Sequence, residues 1–174
     1  MSLLERNPQL ANSVLGADKT TLLHSAITHG LQRVLWRLLA IPGAPVDAPN
    51  AEGQTPLMWA VQMGDLRAAR LMLFAPQSKY DVTRAYADGR TMLHVVARMA
   101  DPDAPSIVCA LIARGADINA ADGDKNTPLH HAAAIGSSNT VHALVDAGAD
   151  KTLRNKDGET AHDIAEKHKY SYTA

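Results

Sequence analysis

At 174 residues the chain has the length of one compact domain or one short repeat array. Its 17 Lys and Arg balance 18 Asp and Glu, and a formal charge of −1 excludes the basic excess of a general nucleic-acid or membrane-surface binder. A content of 46% apolar and 20% charged residues excludes wholesale disorder, and no run of 18 uncharged apolar residues is present to cross a membrane. The opening Met1-Ser2-Leu3-Leu4-Glu5-Arg6 lacks the basic and apolar regions of a signal peptide. A single cysteine, Cys109, leaves no internal disulfide and fits a reducing, cytoplasmic setting.

In chain order, Leu3, Leu4, Leu10 and Val14 flank Asn7-Pro8 and predict the second helix of an incomplete leading unit, residues 1–17. Complete units then start near residues 18, 52, 88 and 124. Their markers are Thr21-Leu22-Leu23-His24-Ser25-Ala26, Thr55-Pro56-Leu57-Met58-Trp59-Ala60, Thr91-Met92-Leu93-His94-Val95-Val96 and Thr127-Pro128-Leu129-His130-His131-Ala132. A weaker fifth copy, Thr160-Ala161-His162-Asp163-Ile164-Ala165, opens a truncated, polar closing unit over 157–174. The threonines are 34, 36, 36 and 33 residues apart, and chance does not place five copies in phase.

One unit shows what each copy builds. In Thr127-Pro128 the hydroxyl caps a helix and proline takes its first position, where no amide hydrogen bond is lost. Leu129, Ala132 and Ala133 give that helix a narrow apolar face, and Gly136 ends it. Val141, Leu144 and Val145 mark a second helix that stops at Gly148, and Asp157-Gly158 supplies the turn of a hairpin before the next threonine. Such a unit cannot bury both helices alone and must stack on its copies. Against a 33-residue period, about three extra residues fall near Pro76-Gln77-Ser78-Lys79 and about three more over Asp101–Ser106. Both are expected as tolerated surface loops.

The repeated Thr-Pro-Leu-His pattern resembles the ankyrin-repeat family over essentially the whole chain. The resemblance implies an all-α fold, a single domain over 1–174: stacked helix-turn-helix units joined by short β-hairpin loops. It also implies a protein that binds another protein, without catalysis or cofactor, on the face lined by the hairpins and first helices. Two forms of that function fit. One is a free-standing inhibitor or adaptor, similar to the inhibitors of transcription factors in the IκB group. The other is the substrate-recognition module of a larger enzyme, such as a microbial effector or ubiquitin-ligase component. A designed consensus array is disfavoured by the irregular spacings. Polar units at both ends favour a monomer.

The residues give little sign of other chemistry. His24, His94 and His130 occupy one position in three units, which points to a structural hydrogen bond rather than a ligand role. His130 and His131 are adjacent and point about 100° apart on a helix, so they do not chelate one ion together. The pairs His24/His29 and His162/His168 miss the spacing of helical zinc ligands, and a lone cysteine gives no zinc framework. No nucleophile elbow, phosphate loop or dinucleotide fingerprint is present. Cys109 in an apolar helix reads as an inert, buried or half-buried thiol, and the pairs Asp101/Asp103 and Asp122/Asp124 as solvated turn aspartates.

Carried over position by position, the resemblance places partner contacts at Glu52, Gln54, Trp59 and Met63 in the unit of Thr55. In the unit of Thr91 it places them at Asp88, Arg90 and Arg98, with Tyr86 at a usual Asp position. Asn126 and His131 follow in the unit of Thr127. Trp59, Met63, Tyr86, Arg90 and Arg98 are the sharpest set, since aromatics and arginine dominate interface hot spots and methionine adapts to irregular surfaces. Trp36, in a second helix, is expected in the core. Lys19 and Lys125 replace the turn glycine and leave the geometry of those hairpins open. The helix ending in Asp117-Ile118-Asn119 resembles the segment in which some ankyrin proteins undergo asparagine hydroxylation, with Asn119 as the acceptor.

Overall fold

The computed structural model describes residues 14–75 and 80–168. Most of the leading unit, the extra residues at Pro76–Lys79 and the tail beyond His168 lie outside the described residues. Two short strands, β1 (Val14–Leu15) and β2 (Thr20–Thr21), form an antiparallel hairpin. The helices follow in pairs: α1 (Leu22–Thr28) and α2 (Gln32–Leu39), α3 (Pro56–Gln62) and α4 (Leu66–Phe74), α5 (Met92–Ala97) and α6 (Ala104–Ala113), α7 (Pro128–Ala134) and α8 (Ser138–Asp146), then α9 (Ala161–Lys167). The fold is all-α apart from this hairpin and one isolated bridge, Ala85 to Thr91, among the described residues.

The chain forms two compact units, Met1–Asp81 and Val82–Ala174. Within the first, α1 packs on α2 and α3, and α4 packs on α2 and α3. Leu23, Ala26 and Ile27 of α1 meet the apolar faces of Leu35 and Leu38 on α2 and of Leu57, Ala60 and Val61 on α3, all buried. Within the second unit, α5 packs on α6 and α7, α7 on α8 and α9, and α6 on α8. Small residues such as Ala132 and Ala133, both almost fully buried, let the first helices of neighbouring repeats approach closely.

Each first helix begins at the predicted threonine. Thr55 Oγ1 accepts the Met58 amide at 3.3 Å and Pro56 occupies the first turn. The histidine three residues on has two partners in each of its three copies. Its Nδ1 accepts the backbone N–H of Thr21, Thr91 or Thr127 at 3.0 to 3.2 Å. Its Nε2–H donates to a carbonyl of the following repeat: Gln54 for His24, Asn126 for His94 and Glu159 for His130, at 3.0 to 3.1 Å. An imidazole that accepts at Nδ1 and donates at Nε2 is neutral and held in one tautomer. Burial accordingly lowers the pKa of all three below 6.5. In the fifth copy, the Asp163 carboxylate accepts the Thr160 amide at 2.9 Å but has no proton to pass on.

The hairpins repeat a second device. Asn50 Oδ1 accepts the amides of Glu52 and Gln54, Asp122 Oδ1 those of Asp124 and Asn126, and Asn155 Oδ1 those of Asp157 and Glu159. Neighbouring hairpins are tied by Ala51 N–H to Asp18 O in the first unit and Lys156 N–H to Asp124 O in the second, both 2.9 Å. The turn residue is left-handed throughout. Lys19 (φ 51°) and Lys125 (φ 59°) adopt the conformation of Gly53, Gly89 and Gly158, so the hairpin survives the loss of glycine at the cost of a strained side-chain-bearing residue. The expected loop at Asp101–Ser106 is partly helix: Ala104 and Pro105 open α6, and Ala104 is fully buried.

Three outcomes test this reading. Lys125→Gly is expected to stabilise the protein by up to about 1 kcal/mol, read as a higher urea midpoint. His130→Ala is expected to cost on the order of 2 kcal/mol in urea denaturation, because the buried Thr127 N–H loses its acceptor and Glu159 O keeps only the Asn155 N–H. The pH dependence follows from the lowered histidine pKa values. The unfolded chain binds protons more readily than the fold, so the stability is complete above pH 6.5 and declines as pH falls toward the lowered folded values. Urea denaturation between pH 8 and 5 is expected to show that decline, at no more than about 1.4 kcal/mol per pH unit for each histidine.

Candidate functional site

In the second unit the hairpin and first-helix side chains converge on Asp122. Its Oδ1 is occupied by the hairpin amides, and its Oδ2 accepts His131 Nε2–H at 2.7 Å. The Asp122 side chain is 7% exposed and that of His131 14%, so Asp122 is a buried structural acceptor rather than a solvated turn aspartate. Burial pushes the Asp122 carboxyl up, but hydrogen bonds from His131, Asn126 and Asp124 outweigh it and hold the carboxyl below its usual range. Burial lowers His131 below 6.5 in spite of the carboxylate, and Arg98 and Arg90 add to the lowering. At neutral pH the pair is a hydrogen bond from a neutral imidazole, not an ion pair.

The positive charges of Arg98 and Arg90 thus lie near enough to His131 to disfavour its protonation. Arg90 Nε–H donates to Asp88 Oδ2 at 2.7 Å, so Asp88 and Arg90 present a paired, partly exposed rim. Tyr86 is half-buried, and burial raises its phenol well above the ordinary value. It replaces the side chain that in the other hairpins caps the turn, and Asp88 Oδ1 takes over by accepting the Arg90 amide at 3.0 Å. Asn126 is committed to the framework: its carbonyl accepts from His94 and its side-chain oxygen from Asn155.

In the first unit Met63 is 53% exposed and Glu52 is exposed. Trp59 is half-buried; its Nε1–H donates to Thr28 Oγ1 at 3.0 Å and its ring meets His24 edge-on at 6.4 Å. It thus covers α1 while leaving part of its ring in solvent. Gln54 is 9% exposed and its amide donates to Gln62, which turns it away from the surface.

Two expectations need correction. Trp36 is 61% exposed, because Leu35, Leu38 and Leu39 already form the inward stripe of α2 and Trp36 falls about 60° beyond its edge. Cys109 is an exposed thiol on α6, since Ile107, Val108 and Leu111 take the buried positions. Asn119 sits at a hairpin base, where its Oδ1 accepts the Asp150 amide at 2.9 Å.

The ligand atoms of His94, Asp122 and His131 lie within 4.8 Å of one another. His94 has both nitrogens engaged, by Thr91 N–H and Asn126 O, so a cation here has to break the cap of α5 to gain a third ligand. The cluster serves the repeat framework instead. No helix among the described residues is long and apolar enough to cross a membrane.

The family model of ankyrin repeats (3 copies) matches residues 2–86, 23–122, 76–155 and 93–173. The chain belongs to the ankyrin-repeat family. Its threonine-to-histidine caps and bridges are the family's signature made physical, and the ankyrin repeat is a protein–protein interaction module, generally without catalysis. Relatives include a Danio rerio protein named for palmitoyltransferase activity, ZDHHC13, 32% identical over 87% of this chain. The p105 subunit of nuclear factor NF-kappa-B from Mus musculus is 33% identical over 82% of it. A transient receptor potential channel of subfamily A from Drosophila melanogaster is 33% identical over 73%. The chain spans 23%, 14% and 10% of the lengths of these relatives.

Asp122→Ala is expected to destabilise the second unit by about 2 kcal/mol, since it leaves the part-buried Asn126 amide and His131 Nε2–H without their acceptor. Asp124→Ala, at an exposed carboxylate, is expected to cost little; equal losses by urea denaturation contradict the assignment of Asp122 as a buried acceptor.

Proposed function

We propose that this ankyrin-repeat chain binds a partner protein non-enzymatically through its hairpins and first helices, as an inhibitor or adaptor. The observation that carries the reading is the grouping of accessible Arg90 and Arg98 near His131, which buried Asp122 holds in place. Asp88 and Tyr86 extend this set in the second unit. Glu52, Trp59 and Met63 are its counterparts in the first, with Trp59 pinned by Thr28 and so presented with little loss of side-chain freedom. Gln54 and Asn126 act through the framework, as supports of the surface rather than as contacts. The reading places the protein in a reducing cytoplasmic compartment and as a monomer.

A second reading is favoured by one finding. In the relatives named above the matching repeats make up a minor share of the length, and one is named for an enzyme. In this second reading the repeats are the substrate-recognition segment of a longer enzyme, such as a microbial effector or ubiquitin-ligase component. Both readings use the same face.

The test is capture of partners from a lysate by the immobilised full chain, quantified by mass spectrometry, against Trp59→Ala and Arg90→Glu. Circular dichroism and melting first establish that both variants fold. Trp59→Ala is expected to weaken a captured partner by about 2 kcal/mol, roughly 30-fold. Equal retention of the same proteins by wild type and both variants contradicts the proposed face.

A further inference from the structure

The second helices of the first unit carry a surface that the proposed function does not use. Between α2 and α4 lies an open groove of about 620 Å³, lined by Trp36, Leu39, Arg70, Leu71, Phe74 and Ala75. Its two aromatic walls are largely in solvent, Trp36 at 61% and Phe74 at 65% exposure, and Phe74 is the only phenylalanine in the chain. Leu31 (48%) and Val34 (40%) are exposed at the start of α2 but do not line the groove. The stacking core does not need any of them, because α2 and α4 already bury Leu35, Leu38 and Leu39, and Leu66, Ala68, Ala69, Met72 and Leu73. Two large aromatic side chains left outside a satisfied core and facing one groove mark an interaction site rather than scattered exposure.

The charge around the groove is one-signed. Arg33 and Arg37 on α2 and Arg67 and Arg70 on α4 are all exposed, and neither helix contains an Asp or Glu. Asp65, the acid that precedes α4 in the sequence, caps that helix by accepting the Ala68 amide at 2.9 Å. A chain with a net charge of −1 thus concentrates four arginines on two adjacent helices beside an aromatic groove. Guanidinium groups at an apolar slot match carboxylates flanking an apolar side chain. The groove is a depression between aromatic walls, which takes an inserted side chain. A bilayer surface asks for the opposite relief, with the aromatics protruding together.

We propose that the Trp36–Phe74 groove of α2 and α4 is a second docking site, which takes an acidic amphipathic peptide segment of a partner protein. The segment inserts an aliphatic or aromatic side chain between Trp36 and Phe74, and its Asp and Glu residues meet Arg37, Arg70 and their neighbours. Helix-in-groove binding of this kind uses apolar anchors one turn apart. The site is separate from the hairpin and first-helix face, so either can fail without the other.

The experiment selects 16-residue peptides from a random display library on the full-length chain, then measures the enriched peptides by fluorescence anisotropy. Expected are sequences with an excess of Asp and Glu around one or two apolar anchors, bound at least tenfold more weakly by Trp36→Ala/Phe74→Ala and by Arg37→Glu/Arg70→Glu. Both double variants change exposed residues, and circular dichroism checks that they fold. Trp59→Ala is expected to leave peptide binding unchanged, which separates this site from the proposed partner face. Enrichment of neutral or basic peptides, equal binding by the variants, or no enrichment at all overturns the proposal. So does binding to phosphatidylcholine–phosphatidylserine vesicles that is lost in Trp36→Ala/Phe74→Ala while no acidic peptide binds.

Discussion

A neutral imidazole held between two backbone groups is the constraint on which three of the units depend. The threonine amide at the start of a first helix has no partner within that helix, and the carbonyl that precedes the next repeat's threonine lies at a hairpin edge. One histidine ring satisfies both, accepting at Nδ1 and donating at Nε2. The arrangement fixes the start of the helix and the spacing to the next hairpin together. Because each ring is buried, it tolerates no charge, and the same groups that join repeats also make the fold sensitive to acid. Met58, which takes this position in the unit of Thr55, has no ring nitrogen to do either.

The framework decides which side chains remain for recognition. Asp122 and Asn126 project from a hairpin, yet both are consumed in holding it, and Gln54 folds down onto Gln62. The proposed contact set is what is left: Glu52, Trp59, Met63, Tyr86, Asp88, Arg90, Arg98 and the outer face of His131. In this set Trp59 is held by Thr28 and Arg90 by Asp88, which restricts their rotamers. His131 links the two roles, since its Nε2–H is spent on Asp122 while Arg90 and Arg98 lie close enough to depress its pKa. The basic aromatic groove of α2 and α4 follows the same logic on the other helix of the repeat. A short helix needs only one narrow buried stripe, and whatever lies outside it is free to vary.

Much of the fold was legible because its determinants are local and repeated. Thr-Pro caps, the recurring histidine and the turn glycine each act within a few residues, so their spacing marks helix starts and hairpins directly. Trp36 was misjudged because a large apolar residue beside a leucine stripe was assigned to that stripe; the 3.6-residue period, applied strictly to Leu35, Leu38 and Leu39, places it outside. Cys109 failed in the same way beside Ile107, Val108 and Leu111. The role of Asp122 depended on a contact nine residues away, to His131, which spacing alone does not expose. The sequence carries a hint: a short polar acceptor, Asn or Asp, stands five residues before three of the five threonines, at Asn50, Asp122 and Asn155.

The most direct measurement is the protonation and tautomer of the bridging histidines, read from long-range ¹H–¹⁵N NMR correlations of the ring nitrogens at pH 7, with assignment by single substitutions. His24, His94 and His130 are predicted to be neutral, with the proton on Nε2 and the lone pair on Nδ1. They should remain so through pH 6.5, where an exposed imidazole is half charged. Rings that carry the proton on Nδ1, or that titrate at or above 6.5, contradict the bridge and with it the account of how one repeat positions the next.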